Sequence, residues 1–530
     1  MSFGRLPGLG SAMSLPFIGA DRAASERDDE LLAWVDKLPI DSPIIACRML
    51  EDRLKAVLVG NASLRHRLRH LEILEHGLPA LLQRLESTLA NTTQPLATPQ
   101  RSLAASVLKL LKRFAAGYLS LASEMSNRWM SAGFARPRET ALRRAARAVT
   151  IRIELAHRAY ANPSANCWRQ LLEIHLLARR DEFLETTDPD SPAESIASLH
   201  ARALLTTLAD PGRLTNAQID HVCFYLKRHA TLVSFVAPST LSSQQRNQTG
   251  LFVIESNGRP ARPLWHGTRP GPQAVIMDAR PLLRRLQRQI DALAQGAEPG
   301  RIGLHANAAS PAYRSLLHSL VQKWQLPRAR RHPRARFLPR ADLVAGFEQI
   351  RRFLGDAAFA RRAGESDNRT DAGESPGEWA ITDESPGGFG LRYLGRSASA
   401  LRVADVCALR PRERSLVHLC VVRRAANLGE REFDIGVEVL AAQGVSTTLN
   451  LPAETIGEPR TSVDVILLPR VPALARQAAI LAPVGAVRAN SELLVHWHGR
   501  KWRFVTADAV EHFDSCELVP LRLLQDKAPG

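Results

Sequence analysis

The sequence lacks any run of about 18 apolar residues, the length that a helix needs to cross a lipid bilayer. It also lacks, after Met1, the charged segment and unbroken apolar core of a secretion signal. Its six cysteines form no C-x-x-C pair, and no histidine lies at zinc-finger spacing from a cysteine pair. These absences predict a cytoplasmic protein without a membrane span, whose cysteines are buried free thiols in a reducing compartment.

Catalytic signatures are missing as well. There is no nucleophile elbow, no phosphate-binding P-loop and no metalloprotease helix. His496 and His498 lie on one face of a predicted strand, but no Asp, Glu or Cys completes a ligand set for a metal ion there. We therefore predict a binding protein rather than an enzyme, with no catalytic residue, no metal site and no cofactor.

Aromatic residues make up only 5% of the chain, so its cores must be built from Leu, Val, Ile and Ala. The net charge of +17 first suggests a nucleic acid or a membrane surface as partner. The excess is mostly arginine, however, and the arginines are scattered through helical stretches. The pairs at 351–352, 361–362 and 423–424 are interpreted as solvated faces, and nucleic acid is not expected to be the main partner.

The chain of 530 residues is long enough for about three to five domains. Residues 1–26, punctuated by Gly and Pro, are predicted to be a disordered N-terminus. Residues 27–238 carry apolar side chains at three-to-four spacing in one stretch after another, which predicts an all-α array of paired helices. Residues 239–325 mix short strand candidates with two helical stretches and are predicted to be a connecting segment.

Beyond residue 325 the periodicity becomes two, as in Phe433, Ile435, Val437 and Val439. This alternation predicts an antiparallel β-barrel over 326–445, interrupted by a flexible insert at 355–378 that has almost no large apolar residues. Residues 446–530 are predicted to be a β-rich extension, either a second module or part of the first. The fold class is thus α+β multidomain, with a helical array followed by a barrel with extra strands.

Two short segments supply the chemistry of a ligand site. Arg330 and Arg334 form an R-x-x-x-R pair, and a guanidinium can bind two phosphate oxygens or the N7 and O6 acceptors of guanine. Asp383, Ser385 and Gly388 form D-x-S-x-x-G just ahead of a strand-like run. A carboxylate matches the adjacent N–H donors of a guanine edge, and glycine allows close approach of a ligand.

The order of these elements resembles the PilZ domain, a bacterial six-stranded β-barrel receptor for cyclic di-GMP. Arg330 and Arg334 match its first motif, with Arg331 as an additional contact, and Asp383, Ser385 and Gly388 match its second. The resemblance implies that the arginines hold phosphates and guanine edges while Asp383 and Ser385 bind a guanine from the barrel surface. The stretch between the two motifs is longer than the family usually shows, and 343–354 could be a helix instead of the first barrel strand.

The resemblance implies a cytoplasmic cyclic di-GMP effector that couples nucleotide binding to protein contacts of the helical region. The protein partners could belong to motility, pilus or exopolysaccharide machinery. The alternative is a nucleotide-independent scaffold or adaptor with a degenerate barrel.

Overall fold

The computed structural model describes residues 28–524, apart from 91, 128–130, 189–190, 247, 265–268, 272, 326–338, 356–376, 396–399, 414–415, 430–431, 451–461, 475, 498–499, 508–509 and 514. The predicted disordered N-terminus and nearly all of the predicted flexible insert lie outside these residues. Within the described part of the chain, no helix combines the length and the apolar character needed to cross a membrane.

The N-terminal part is a helical array, as the apolar spacing predicts. Its helices are α1 (28–36), α2 (Pro43–Val59), α3 (Leu64–Glu75), α4 (Leu78–Ala90), α5 (Thr98–Ser126), α6 (Ala135–Arg158), α7 (Ala165–Arg180), α8 (Ile196–Leu208) and α9 (Asn216–His229). Hydroxyl side chains begin three of them: Ser63, Ser195 and Thr215 each accept a hydrogen bond from the backbone N–H three residues on. A short hairpin, β1 (Thr187–Asp188) and β2 (Ser191–Ser195), joins α7 to α8.

The connecting segment packs directly on this array. It contributes α10 (Ser243–Arg246), α11 (Arg280–Ala294), α12 (Pro311–Gln325) and three strands of a four-stranded sheet in the order β3–β6–β4–β5, of which β3 precedes the segment. These strands are β3 (Ser234–Val236), β4 (Leu251–Ile254), β5 (Arg262–Pro263) and β6 (Val275–Asp278). Trp324 is fully buried, and its indole N–H donates to the carbonyl of Leu205 in α8 at 3.0 Å. The helical array and this segment therefore share one apolar core.

Six antiparallel strands then close into a barrel in the order β10–β11–β12–β9–β8–β7, with β7 also paired to β10. They are β7 (Arg340–Ala345), β8 (Gly377–Ser385), β9 (Gly388–Tyr393), β10 (Val406–Pro411), β11 (His418–Asn427) and β12 (Phe433–Ala442). The alternating apolar residues of β12 point inward and are buried, which confirms the predicted period of two. The predicted fold class, a helical array followed by an antiparallel barrel with extra strands, is confirmed.

The stretch 343–354 contains both of the structures that its sequence left open. Residues Arg340–Ala345 form strand β7 of the barrel, and Phe347–Gly355 form helix α13. Gly346 separates them with a φ of 89°, a left-handed conformation that glycine adopts without strain. The barrel is therefore closed despite the helix.

The C-terminal residues form a second sheet that leans on the barrel. Its strands are β13 (Val445–Asn450), β14 (Ser462–Leu468), β15 (Ala479–Pro483), β16 (Glu492–Trp497), β17 (Arg500–Thr506), β18 (Glu511–His512) and β19 (Cys516–Leu523). This sheet has a core of its own. A further apolar layer, to which α13 also contributes, joins it to the outer faces of β10, β11 and β12. One side of the barrel is thereby covered.

Candidate ligand site on the outer face of the barrel

The D-x-S-x-x-G motif forms the β8–β9 hairpin on the side of the barrel opposite that cover. Ser385 ends β8 and pairs with Gly388 at the start of β9, and its hydroxyl donates to the Gly388 carbonyl at 3.2 Å. A bulge between Ile381 and Asp383 shifts the register, so that Ile381 fills the barrel interior while Asp383 lies opposite Gly390. The flanking residues of Gly390 point inward, which places the Asp383 carboxylate on the outer face.

Gly388 is required by the close approach of two strands. A Cβ at this position would collide with the carbonyl oxygen of Val437 in β12. No L-amino acid with a side chain fits without displacing β9 from β12. The glycine of the motif therefore has a structural reason within the barrel, independent of any ligand.

Two further glycines leave two adjacent outward positions of the sheet without side chains of their own. Gly390 in β9 pairs with Gly436 in β12, and Gly436 pairs with Arg424 in β11. The resulting row across four strands is Asp383, Gly390, Gly436, Arg424. We call Gly390 and Gly436 the glycine floor. Three strand spacings separate the two ends, about 14 Å along the sheet.

The Asp383 carboxylate lies over this floor. A Cβ at Gly390 would meet the carboxylate atoms of Asp383 at 2.8 Å, whereas a Cβ at Gly436 would meet only the Cβ of Arg424 at 3.5 Å. The surface is thus flat and open above Gly436, with a negative group at one end and a positive group at the other. A planar ring could lie on it in van der Waals contact with the backbone.

Paired charges border the floor on both sides. Arg392 donates to both carboxylate oxygens of Asp434 at 2.8 and 3.1 Å. On the other side Arg423 donates to Glu438 at 2.8 Å. Burial alone would raise the pKa of Glu438, but the hydrogen bond and charge of Arg423 hold that pKa below its ordinary value. Each of these charged side chains is paired with a neighbour of opposite charge. They therefore form the borders of the site and are not its main anion-binding or cation-binding groups.

Arg424 differs from its neighbour Arg423. It is exposed, and within the described part of the chain it makes no hydrogen bond or ion pair. Its Cγ and Nε lie against Gly212, in the turn between α8 and α9, where an added Cβ would meet them at 3.7 and 3.8 Å. This guanidinium is therefore held at the edge of the floor by the helical array and is available to an anion.

The predicted arginines Arg330, Arg331 and Arg334 lie outside the described residues, but the strand that follows them fixes where their segment joins the barrel. β7 runs antiparallel to β8, and the backbone N–H of Ile381 donates to the carbonyl of Pro339 at 2.9 Å. At most about 17 Å of extended chain joins Arg334 to Pro339. The insert separates β7 from β8 in the sequence, but the two strands are neighbours in the barrel.

The helical array is joined to the barrel by backbone hydrogen bonds. Gln94 and Leu401 exchange N–H···O bonds of 2.7 and 3.1 Å, and the N–H of Asn427 donates to the carbonyl of Tyr160 at 2.7 Å. The Tyr160 side chain is buried in the barrel core, and its hydroxyl donates to the carbonyl of Leu214 at 2.9 Å. The site and the helices are therefore parts of one packed unit at this junction.

Comparison with known families found a match to the helical part of the chain. Residues 29–239 match the family model described as the N-terminal domain of the cyclic-di-GMP receptor FimW. These residues are similar to that family, and we call them the FimW-type domain for this similarity. They cover α1–α9 and end just past β3, and the barrel site lies outside them. Neither curated proteins nor solved structures gave a match to the chain.

Asp383, Ser385 and Gly388 remain predicted site residues. Sequence reasoning did not identify the glycine floor, and it interpreted Arg424 as part of a solvated face. The signal for the floor was present: Gly390 and Gly436 each occupy the outward phase of an alternating strand, where polar side chains are expected. Nothing in the local sequence separates Arg424 from Arg423, because their difference depends on partners from distant strands.

Proposed function

We propose that the chain is a cytoplasmic cyclic di-GMP effector that binds the nucleotide on the glycine floor of its barrel. The observation that supports this most is the row from Asp383 to Arg424, built beside the point where the segment carrying Arg330, Arg331 and Arg334 joins β7. The match of the helical part to the N-terminal domain of a cyclic-di-GMP receptor supports the same ligand. Six buried free cysteines agree with a reducing compartment.

The chemistry of the row suits a guanine nucleotide with two phosphates. The Asp383 carboxylate can accept the adjacent N–H donors of one guanine, and the Ser385 hydroxyl retains acceptor capacity beside it. The base would lie flat over Gly436, where no side chain intervenes, with its edge towards the Asp383 carboxylate over Gly390. Cationic groups would hold the phosphates from both sides: the predicted arginines above and Arg424 at the far end.

The same arrangement suggests how binding could be transmitted. Arg424 rests on Gly212 of the FimW-type domain, so an anion that draws this guanidinium towards the floor changes a contact between the helices and the barrel. A ligand shifts the balance between two states of a contact only if it binds one state more tightly than the other. An interaction between the ligand and Arg424 would supply this difference in affinity. We propose that nucleotide binding alters the protein contacts of the helical region by this route.

The test is a calorimetric titration of the full chain with cyclic di-GMP. We expect saturable binding with a micromolar or lower Kd. Asp383→Ala removes charge-assisted hydrogen bonds worth about 1.5–3 kcal/mol each, so its Kd should rise at least about tenfold, and Arg334→Ala should behave similarly. Asp464→Ala, on β14 of the C-terminal sheet, is the matched control and should bind as wild type.

A nucleotide-independent scaffold is the second candidate, because the outer faces of β10–β12 already serve as a packing platform for α13 and the C-terminal sheet. It predicts a folded wild-type protein that shows no heat with cyclic di-GMP at about 100 µM, far above the proposed Kd. A partner that binds wild type and Asp383→Ala equally in pull-downs, with or without nucleotide, would favour this candidate.

A further inference from the structure

Two histidines and one aspartate meet where the first helix of the chain packs on the third. His66 and His70 stand one helical turn apart on α3 and therefore share a face, with ring centroids 4.0 Å apart. Asp28 begins the described part of α1 and lies against them. One potential ligand atom from each of the three residues lies within 4.8 Å of those of the other two.

Asp28 and His70 face each other in this cluster. Nε2 of His70 lies 3.2 Å from Oδ1 of Asp28, an ion-pair distance, and neither of these buried atoms has a well-directed hydrogen bond among the described residues. Buried polar atoms are normally satisfied, and a metal ion bound between these two would give both a partner. In a tetrahedral zinc site with bonds of about 2.0–2.1 Å, neighbouring ligand atoms lie about 3.3 Å apart. The separation of 3.2 Å therefore also suits two ligands on one metal ion.

Charged neighbours orient the Asp28 carboxylate and influence how strongly the cluster attracts a cation. The second carboxylate oxygen of Asp28 lies 3.6 Å from Nε of Arg69, which leaves Oδ1 directed towards the histidines. Such a contact orients a ligating carboxylate. Arg53 also places a positive charge nearby, which weakens cation binding.

We propose that Asp28, His66 and His70 form a binding site for a divalent transition metal of the zinc class, with water as the fourth ligand. The ion would fasten α1 to α3 at the start of the FimW-type domain. Because α1 contributes Leu31 and Val35 to the shared core, its attachment stabilises the packing of the whole array. This site is separate from the nucleotide site and does not depend on it.

The test uses the full chain freed of metal by a chelator and titrated with Zn²⁺ alone. We expect one equivalent to bind, to raise the melting temperature, and to give a tetrahedral visible spectrum when Co²⁺ replaces Zn²⁺. His66→Ala and His70→Ala should each lose this equivalent or bind it at least tenfold more weakly. His76→Ala is the matched control, since His76 is exposed just past the end of the same helix and should leave binding unchanged.

Other histidines of the chain could also take up zinc, so the variants decide the outcome. Equal stoichiometry and affinity in wild type, His66→Ala and His70→Ala would overturn the proposal, as would the absence of any binding by wild type. Since His66 makes no hydrogen bond through its side chain among the described residues, metal-free His66→Ala should melt like metal-free wild type, which separates lost ligation from misfolding.

Discussion

The glycine floor leads to the sharpest prediction, because a methyl group on Gly436 fits the barrel but does not fit a flat ligand. The added Cβ would meet only the Cβ of Arg424, at the ordinary van der Waals distance of 3.5 Å. Alanine also costs less conformational entropy than glycine in a strand, by about 0.5–1 kcal/mol. Gly436→Ala should therefore fold as stably as wild type or slightly more so.

The effect on binding follows from the height of the methyl group. It projects about 1.5 Å from the floor, the length of one C–C bond, so a base lying on the floor must rise by a similar amount. A hydrogen bond of about 2.9 Å to Asp383 in the plane of the base then lengthens to about 3.3 Å and bends by nearly 30°, which weakens it. Complete loss of such a charge-assisted bond would cost about 1.5–3 kcal/mol, so its weakening raises the Kd for cyclic di-GMP by up to roughly a hundredfold.

Calorimetry and thermal melting of the same sample measure both effects. Gly429→Ala is the matched control, because Gly429 lies in the same β11–β12 hairpin and a Cβ there meets nothing within 4 Å. It should bind as wild type. If Gly436→Ala melts normally and binds cyclic di-GMP as tightly as wild type, no ligand lies on the floor and the reasoning is refuted.

Three further predictions concern stability. Gly388→Ala should lower the free energy of unfolding, measured in urea, by about 3–4 kcal/mol because its Cβ collides with the Val437 backbone. A decrease below about 1 kcal/mol would contradict the strand packing described. Burial lowers the pKa of His157 to about 4, so the unfolded chain takes up a proton near pH 6.5 that the folded chain refuses. The free energy of unfolding is then highest above pH 6.5 and falls as the pH is lowered towards 4. His157→Gln should reduce the slope of this fall by up to about 1.4 kcal/mol per pH unit, and an unchanged slope would show that His157 does not cause it. Arg202→Ala leaves the buried Glu154 carboxylate without its two 3.0 Å hydrogen bonds and should cost about 3–5 kcal/mol, and near-wild-type unfolding would show that this pair is not buried as described.

The sequence predicts what depends on local periodicity. Three-to-four spacing gives the helices, and the alternation of Phe433 to Val439 gives a barrel strand with the correct inward face. The turn between Ser385 and Gly388 could also be found, because proline and glycine between strand-like runs favour a hairpin. These features need information from only a few neighbouring residues.

What could not be predicted depends on which distant segments become neighbours. The glycine floor exists because β9 pairs with β12 in one register, and a shift of one residue would turn both glycines inward. The long stretch before Asp383 looked like an obstacle to a shared site until β7 was found beside β8. Likewise, His66 and His70 share a face by their spacing, but only the packing of α1 brings Asp28 to them.

Hydrogen–deuterium exchange with and without cyclic di-GMP tests the central claim most directly, because it reports where the nucleotide lies in the full chain. The account predicts slower exchange at two separate places, residues 330–338 and the β8–β9 hairpin from Asp383 to Arg392, with little change in the C-terminal sheet. Saturating nucleotide that leaves the hairpin amides unprotected, or that protects a different face, would contradict it.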